Sequence, residues 1–222
     1  MNATTRRALA AALPFLPALS RPGAAQQRRP RVGELTAVTG TALAHASGEP
    51  PRRLEPEAGI LLEDMLATDP DARLACRLLG GVELRLGGNA TLRVDRLALR
   101  GPRPGIGLSS LSGPLVFDRP APAAAAQPPR GSGAAVPVSL DLPWARIGVR
   151  GTRFFAGPLD EVFAVFCARG ALEVVLPGGG PRAVLAAGEG VDVPRRPGPA
   201  PLALNVHPWG AARIARAFAL VE

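Results

Sequence analysis

The sequence has no lysine and no tyrosine, and only two histidines, two cysteines and two tryptophans. His45 and His207 are far apart and neither has a ligand partner at metal spacing, so no metal site and no cofactor is expected. Aromatic residues make up 4% of the chain, too few for the stacking platforms that hold single-stranded nucleic acid. Every cation is arginine, alongside abundant alanine, glycine and proline, which reads as GC-rich codon usage before it reads as guanidinium chemistry. The arginines are scattered rather than gathered on one element, so the formal charge of +8 reads as a solvated basic surface, with no nucleic-acid partner.

The motifs of catalysis are also missing. Gly105-x-Gly107 lacks the third glycine and the strand-to-helix setting of a dinucleotide site. Ser109, Ser110 and Ser112 lie in residues 107–113, which read as a turn with no strained nucleophile motif. Glu63 with Asp64, and Asp160 with Glu161, are adjacent rather than paired across a site, and read as solvated edges. No catalytic residue is assigned, and enzyme is the least supported class.

What is present begins with a leader. Arg6 and Arg7 precede an apolar run over residues 8–19, followed by the small residues Gly23-Ala24-Ala25. That order is the pattern of a secretory signal peptide over residues 1–25, cleaved after Ala25 to leave Gln26 first. The run is shorter than the roughly 20 residues that span a bilayer. Pro14 and Pro17 argue against a buried helix. The Arg6-Arg7 pair also resembles a twin-arginine signal. Three cations fall in this segment and no acid does, leaving +5 of the +8 for the mature chain. No second apolar run of spanning length follows, so the expectation is a periplasmic or secreted protein that does not insert in the membrane after cleavage.

From Arg31 onward the apolar period is two, broken by glycine, proline and aspartate, which is the all-β signal. Strands are expected over residues 32–39, 60–68, 72–79, 82–86 and 91–99, with Gly80-Gly81 and Gly87-Gly88-Asn89 as turns. Residues 162–168 and 171–176 read as a hairpin about Arg169-Gly170; residues 182–186 and 191–193 follow. Chain length permits one domain with a self-sufficient core, plus a short appendage. Residues 119–137, rich in Pro, Ala and Gly, read as a surface loop that cannot form a core. A Pro-rich linker over residues 194–201 precedes a C-terminal helix over residues 210–220, where Ile214, Ala217, Phe218 and Val221 form a face that packs on the domain.

Two stretches carry a family resemblance. The first runs from Val38-Thr39-Gly40 through Asp64 and Thr68 to Gly81-Val82-Glu83-Leu84-Arg85-Leu86. The second is Ile147-Gly148-Val149-Arg150-Gly151-Thr152-Arg153-Phe154, followed by Leu185-Ala186-Ala187-Gly188-Glu189-Gly190. Together they resemble the FecR domain of bacterial envelope proteins, whose most recognisable segment is IGVRGT-x-F. The resemblance covers roughly residues 31–193 apart from the Pro-rich insertion, and implies a two-layer, sandwich- or solenoid-like β domain over residues 26–193 acting as an accessory sensory or protein-interaction module in envelope signalling. The partner it implies is another envelope protein, met at a sheet edge or the Pro-rich loop. The best-known members place a sigma-factor-acting segment and a membrane span before this domain. This chain has a signal peptide there, so direct sigma-factor regulation across the membrane is not expected. The alternative is a carbohydrate or cell-wall binding module using Trp144 or Trp209, although two isolated tryptophans are more readily core or cap residues.

Within the motif, Gly148 and Gly151 read as positions of positive φ or close backbone approach, and Ile147, Val149 and Phe154 as interior. Arg150 either braces neighbouring carbonyls or binds an anionic ligand. Cys76 is in phase with Leu74 and Leu78, and Cys167 with Phe163 and Val165, so both should face inward. They either form a disulfide or stay as separate core thiols; the second is preferred, because inward positions so far apart in sequence seldom coincide.

Overall fold

The computed structural model describes residues 29–102, 104–119, 136–193 and 203–222. The expected signal segment, most of the Pro-rich insertion and the whole linker over residues 194–201 fall outside these, as does the side chain of Arg150. Among the described residues the fold is all-β with one short α-helix, at the C-terminal end. In chain order the strands are β1 (Arg31–Thr39), β2 (Ala42–His45), β3 (Arg52–Arg53), β4 (Gly59–Leu61), β5 (Met65–Thr68), β6 (Arg73–Leu78), β7 (Val82–Leu86) and β8 (Thr91–Ala98). There follow β9 (Gly105–Ser112), β10 (Leu115–Asp118), β11 (Val138–Asp141), β12 (Arg146–Leu159), β13 (Val162–Val175), β14 (Arg182–Ala186), β15 (Glu189–Val193) and β16 (His207–Pro208), then α1 (Ala211–Ala219).

Pairing sorts the strands into two series that meet in one place. One runs β4-β1-β6-β7-β10-β12, the other β3-β2-β5-β8-β9-β11-β12. All pairs are antiparallel except β9 with β11. The chain alternates between series through short turns, so each excursion adds strands to both layers. Inward side chains of both series, Leu35, Leu74, Leu84 and Phe117 from one and Leu66, Leu92, Leu108 and Leu140 from the other, belong to a single buried cluster. Cys76 and Cys167 lie in the same cluster as free, buried thiols. Burial pushes the Cys76 thiol up to about 12, so it behaves as a small hydrophobe.

The two long strands β12 and β13 hold the layers together. Residues 146–149 of β12 pair with β11, whereas residues 153–156 pair with β10. β13 does the same in reverse, pairing with β15 through residues 163–166 and with β14 through residues 171–175. Both strands therefore bend where the register slips, between Arg150 and Arg153. Gly151 sits there at φ +62°, and Gly170 across from it at φ +82°. This corrects the expected hairpin at Arg169-Gly170: the segment is one continuous bent strand. The true hairpin turn between β12 and β13 is Asp160-Glu161, with φ of +50° and +65°.

Other expectations also shift. Residues 107–113 are mostly strand β9, because Ile106, Leu108 and Ser110 point inward while Gly107 and Ser109 point out. Residues 60–68 form two strands rather than one, divided by a turn at Glu63 and Asp64. The helix and Trp209 cover the outer face of one layer, where Val116, Phe155, Ala164 and Phe166 form a second buried cluster with Ala217 and Val221.

The corner predicts a graded response to substitution. A Cβ on Gly151 would meet nothing within 4 Å, so Gly151→Val should cost about 1–3 kcal/mol through the backbone alone. Gly170→Ala should cost more, since its Cβ would fall 2.6 Å from the Gly151 carbonyl oxygen. Gly148→Ala should be near neutral. Urea unfolding of the three variants checks the order.

Candidate functional site

The IGVRGT-x-F segment builds this corner from the inside out. Ile147 and Phe154 are fully buried, and Phe154 stacks on Phe117 at 5.1 Å between ring centroids. Val149 is also buried. Gly148 differs from expectation: φ there is not positive and a Cβ would meet open space, so glycine is not required by the backbone. Thr152 is fully buried, and its Oγ1 has no hydrogen-bond partner among the described residues.

Charged groups ring the corner on the solvent side. Asp118 takes an ion pair from Arg169 at 2.6 Å and a longer one from Arg153 at 3.9 Å. The Arg119 N–H donates to the Thr152 carbonyl at 3.1 Å, and Arg119 Nη1 donates to the Val136 carbonyl at 2.5 Å. Arg119 and Val136 are the described residues near the two ends of the Pro-rich insertion, which are thus tied to each other and, through Arg119, to the corner. The Arg150 backbone pairs with Ala171; its proposed ligand contact lies outside the described side chains.

At the other end of the fold lies a charge cluster that sequence reasoning missed. Asp64 was read as a solvated edge but is fully buried. Its carboxylate accepts from Arg29 Nη1 at 2.7 Å, from Arg52 Nη2, and from the Leu61 N–H at 2.8 Å. Arg29 also grips Glu49 at 2.6 Å and donates to the Leu62 carbonyl. The Arg29 hydrogen bond holds the Glu49 carboxyl below the usual carboxylate range. The available signal was an aspartate inside the apolar run Ile60-Leu61-Leu62-Glu63-Asp64-Met65-Leu66, which favours a turn over a continuous strand. Beside the cluster a shallow cleft of about 450 Å³ is lined by His45, Ser47, Glu63, Met65, Arg93 and Asp95. Ser109 Oγ donates directly to Asp95 at 2.5 Å with no imidazole between them, an arrangement that does not activate a serine. Among the described residues no group of three or more His, Cys, Asp or Glu could hold a metal ion.

The tryptophans are both packed. Trp209 is 7% exposed, stacked on Phe166 at 4.8 Å and covered by the Arg213 guanidinium at 4.2 Å. Trp144 is half-buried against the core, 5.6 Å from Phe163. Trp209 therefore offers no open face to a sugar ring. Asp160 and Asp192 secure the helix: Arg216 bonds Asp160 at 2.8 Å and Arg213 bonds Asp192 at 2.5 Å. His207 Nε2 accepts from Arg213 Nη1 at 3.3 Å.

No family model matches the chain, and no curated protein matches it. The fold is similar to that of two crystal structures, at 1.65 and 2.50 Å resolution, of a protein from Parabacteroides distasonis ATCC 8503 described as a "putative anti-sigma factor". Each aligns with a TM-score of 0.51 at 16% identity, over 68% of this chain and 62% of the other. The chain thus spans less than two thirds of the length of the structures it matches, and the likeness establishes a shared fold.

Two predictions follow from the charged contacts. Asp64→Ala strands two arginines and should destabilise the protein by about 3 kcal/mol in urea unfolding. Arg216 holds the Asp160 carboxyl below its ordinary value by a hydrogen bond. A carboxylate whose pKa is depressed on folding stabilises the docked helix above its unfolded pKa, and that contribution is lost as pH falls through the folded value. Acidification below the usual carboxylate range should therefore loosen the helix before the β core unfolds. A red shift of Trp209 emission in a Trp144→Phe background would report it, with far-UV circular dichroism of the strands unchanged.

Proposed function

We propose that the chain is a FecR-like, non-catalytic protein-interaction module of the bacterial cell envelope, exported by its N-terminal signal and acting in envelope signalling. The observation that carries this reading is the coincidence of the IGVRGT-x-F residues with the corner joining the two layers of a fold shared with a protein described as a "putative anti-sigma factor". A motif used to set backbone geometry, rather than to assemble nucleophiles or ligands, suits a protein that acts by being bound. The surface beside it, with Asp118, Arg153 and Arg169 around the fastened ends of the Pro-rich insertion, presents both charge signs to a protein partner.

Mass spectrometry of the protein recovered from its native host tests compartment and partner together. The expected result is a mature N-terminus at Gln26 in the envelope fraction. In intact-cell cross-linking the native chain should capture an envelope receptor or sensor, with capture reduced several-fold by Arg169→Glu. A cytoplasmic chain retaining Met1, or saturable glycan binding without a protein partner, would contradict it.

A further inference from the structure

A sheet with open edges must protect them, because unpaired N–H and C=O groups recruit other strands. Among the described residues this fold has four terminal strands: β3, β4, β14 and β16. Three are blunt, with two residues in β3, three in β4 and two in β16. β14 is different. It has five residues, no internal proline and regular pairing with β13 through its whole length.

The hydrogen-bond phase of this edge can be read from its end. Arg182 lies opposite Val175, and the Leu176 N–H donates to the Pro181 carbonyl at 3.0 Å. That bond makes Val175 and Arg182 a non-hydrogen-bonded pair. Ala183 and Leu185 therefore bond β13, while the N–H and C=O groups of Arg182, Val184 and Ala186 point away from the sheet. The Ala186 N–H is taken by Glu189 Oε2 at 2.8 Å. Those of Arg182 and Val184 face outward, beneath a Val184 side chain that is 63% exposed.

We propose that β14 pairs antiparallel with β14 of a second copy of this chain, about a two-fold axis at Val184. The two Val184 residues then exchange both backbone bonds; at each end the Arg182 N–H meets the partner copy's Ala186 carbonyl, and the Glu189 carboxylate gives up the Ala186 N–H to the partner copy's Arg182 carbonyl. Charge complementarity favours a second copy over an unrelated strand. The register carries each Arg182 guanidinium to the end of the opposing strand, beside the Glu189 carboxylate released from the Ala186 N–H. Arg182 is free to turn toward it, being 77% exposed and only loosely paired with Glu173 at 3.7 Å. The outcome is one layer continued across two molecules. So short an edge gives a reversible dimer seen at high protein concentration.

Sedimentation equilibrium of the purified chain over a wide concentration range tests this. Expected is a monomer–dimer equilibrium that weakens with added salt, because the Arg182–Glu189 contacts are solvent-exposed. Val184→Pro removes only the outward N–H and leaves the bonds to β13, so it should weaken association on the order of tenfold or more at unchanged melting temperature. If that variant loses its fold, Val184→Lys, which keeps the backbone donor, should weaken association by placing two charges on the axis. Val184→Cys should cross-link copies under mild oxidation. A chain monomeric at every concentration, a dimer indifferent to these substitutions, or a monomer whose β14 instead takes up a strand of a different protein would overturn the proposal.

Discussion

The bend shared by β12 and β13 fixes the relation between the two layers, because among the described strands these two alone belong to both. Each layer by itself is a run of short strands that could slide or splay against the other. The slip in register between Arg150 and Arg153 turns one long hairpin from the first layer into the second. Two glycines at positive φ, Gly151 and Gly170, face each other at that turn. The contacts around it follow from its position: Phe154 stacks inward on Phe117, Asp118 takes both arginines on the outside, and the Pro-rich insertion leaves and rejoins the domain beside it.

Charge is used away from the corner to finish the ends. Asp64 closes a turn that a continuous strand would have run through, and the two arginines that reach it tie Arg29, at the start of the described chain, to the core. At the other end Asp160 and Asp192 seat the helix over a face that would otherwise expose Val116, Phe155 and Phe166. The first contact is buried and resists salt; the second is exposed and yields to salt and acid.

Much of the fold was legible because its signals are local. Period-two runs locate β1, β6, β7 and β8 within a residue or so, and the phase of Cys76 and Cys167 puts both indoors. Gly151 could be read as a backbone-determined position from its setting in the motif. What escaped depends on partners distant in sequence. Arg169-Gly170 has the composition of a hairpin turn, yet becomes a bend because the facing strand bends with it. Residues 107–113 look like a turn by composition, but Ile106, Leu108 and Ser110 alternate with small residues that face outward. The second apolar face had a signal: Phe154-Phe155-Ala156 and Phe163-Ala164-Val165-Phe166 are unbroken apolar runs, as expected of strands covered on both sides. Asp64 is the clearest omission, since nothing near it in sequence announces that Arg29 and Arg52 converge on it. The site is legible only in part: sequence supplies the motif, while the ring of charge around it comes from three separate strands.

Native-state hydrogen exchange across the whole sheet tests most directly the claim that one bent hairpin unites the layers. If it does, the slowest amides of β6 and β7 in one layer, of β5 and β8 in the other, and of both halves of β12 and β13 should exchange with the same free energy, equal to that of global unfolding. Two distinct opening energies, one for each layer, with β12 divided between them at Gly151, would show that the layers fold as separate units and would contradict the account.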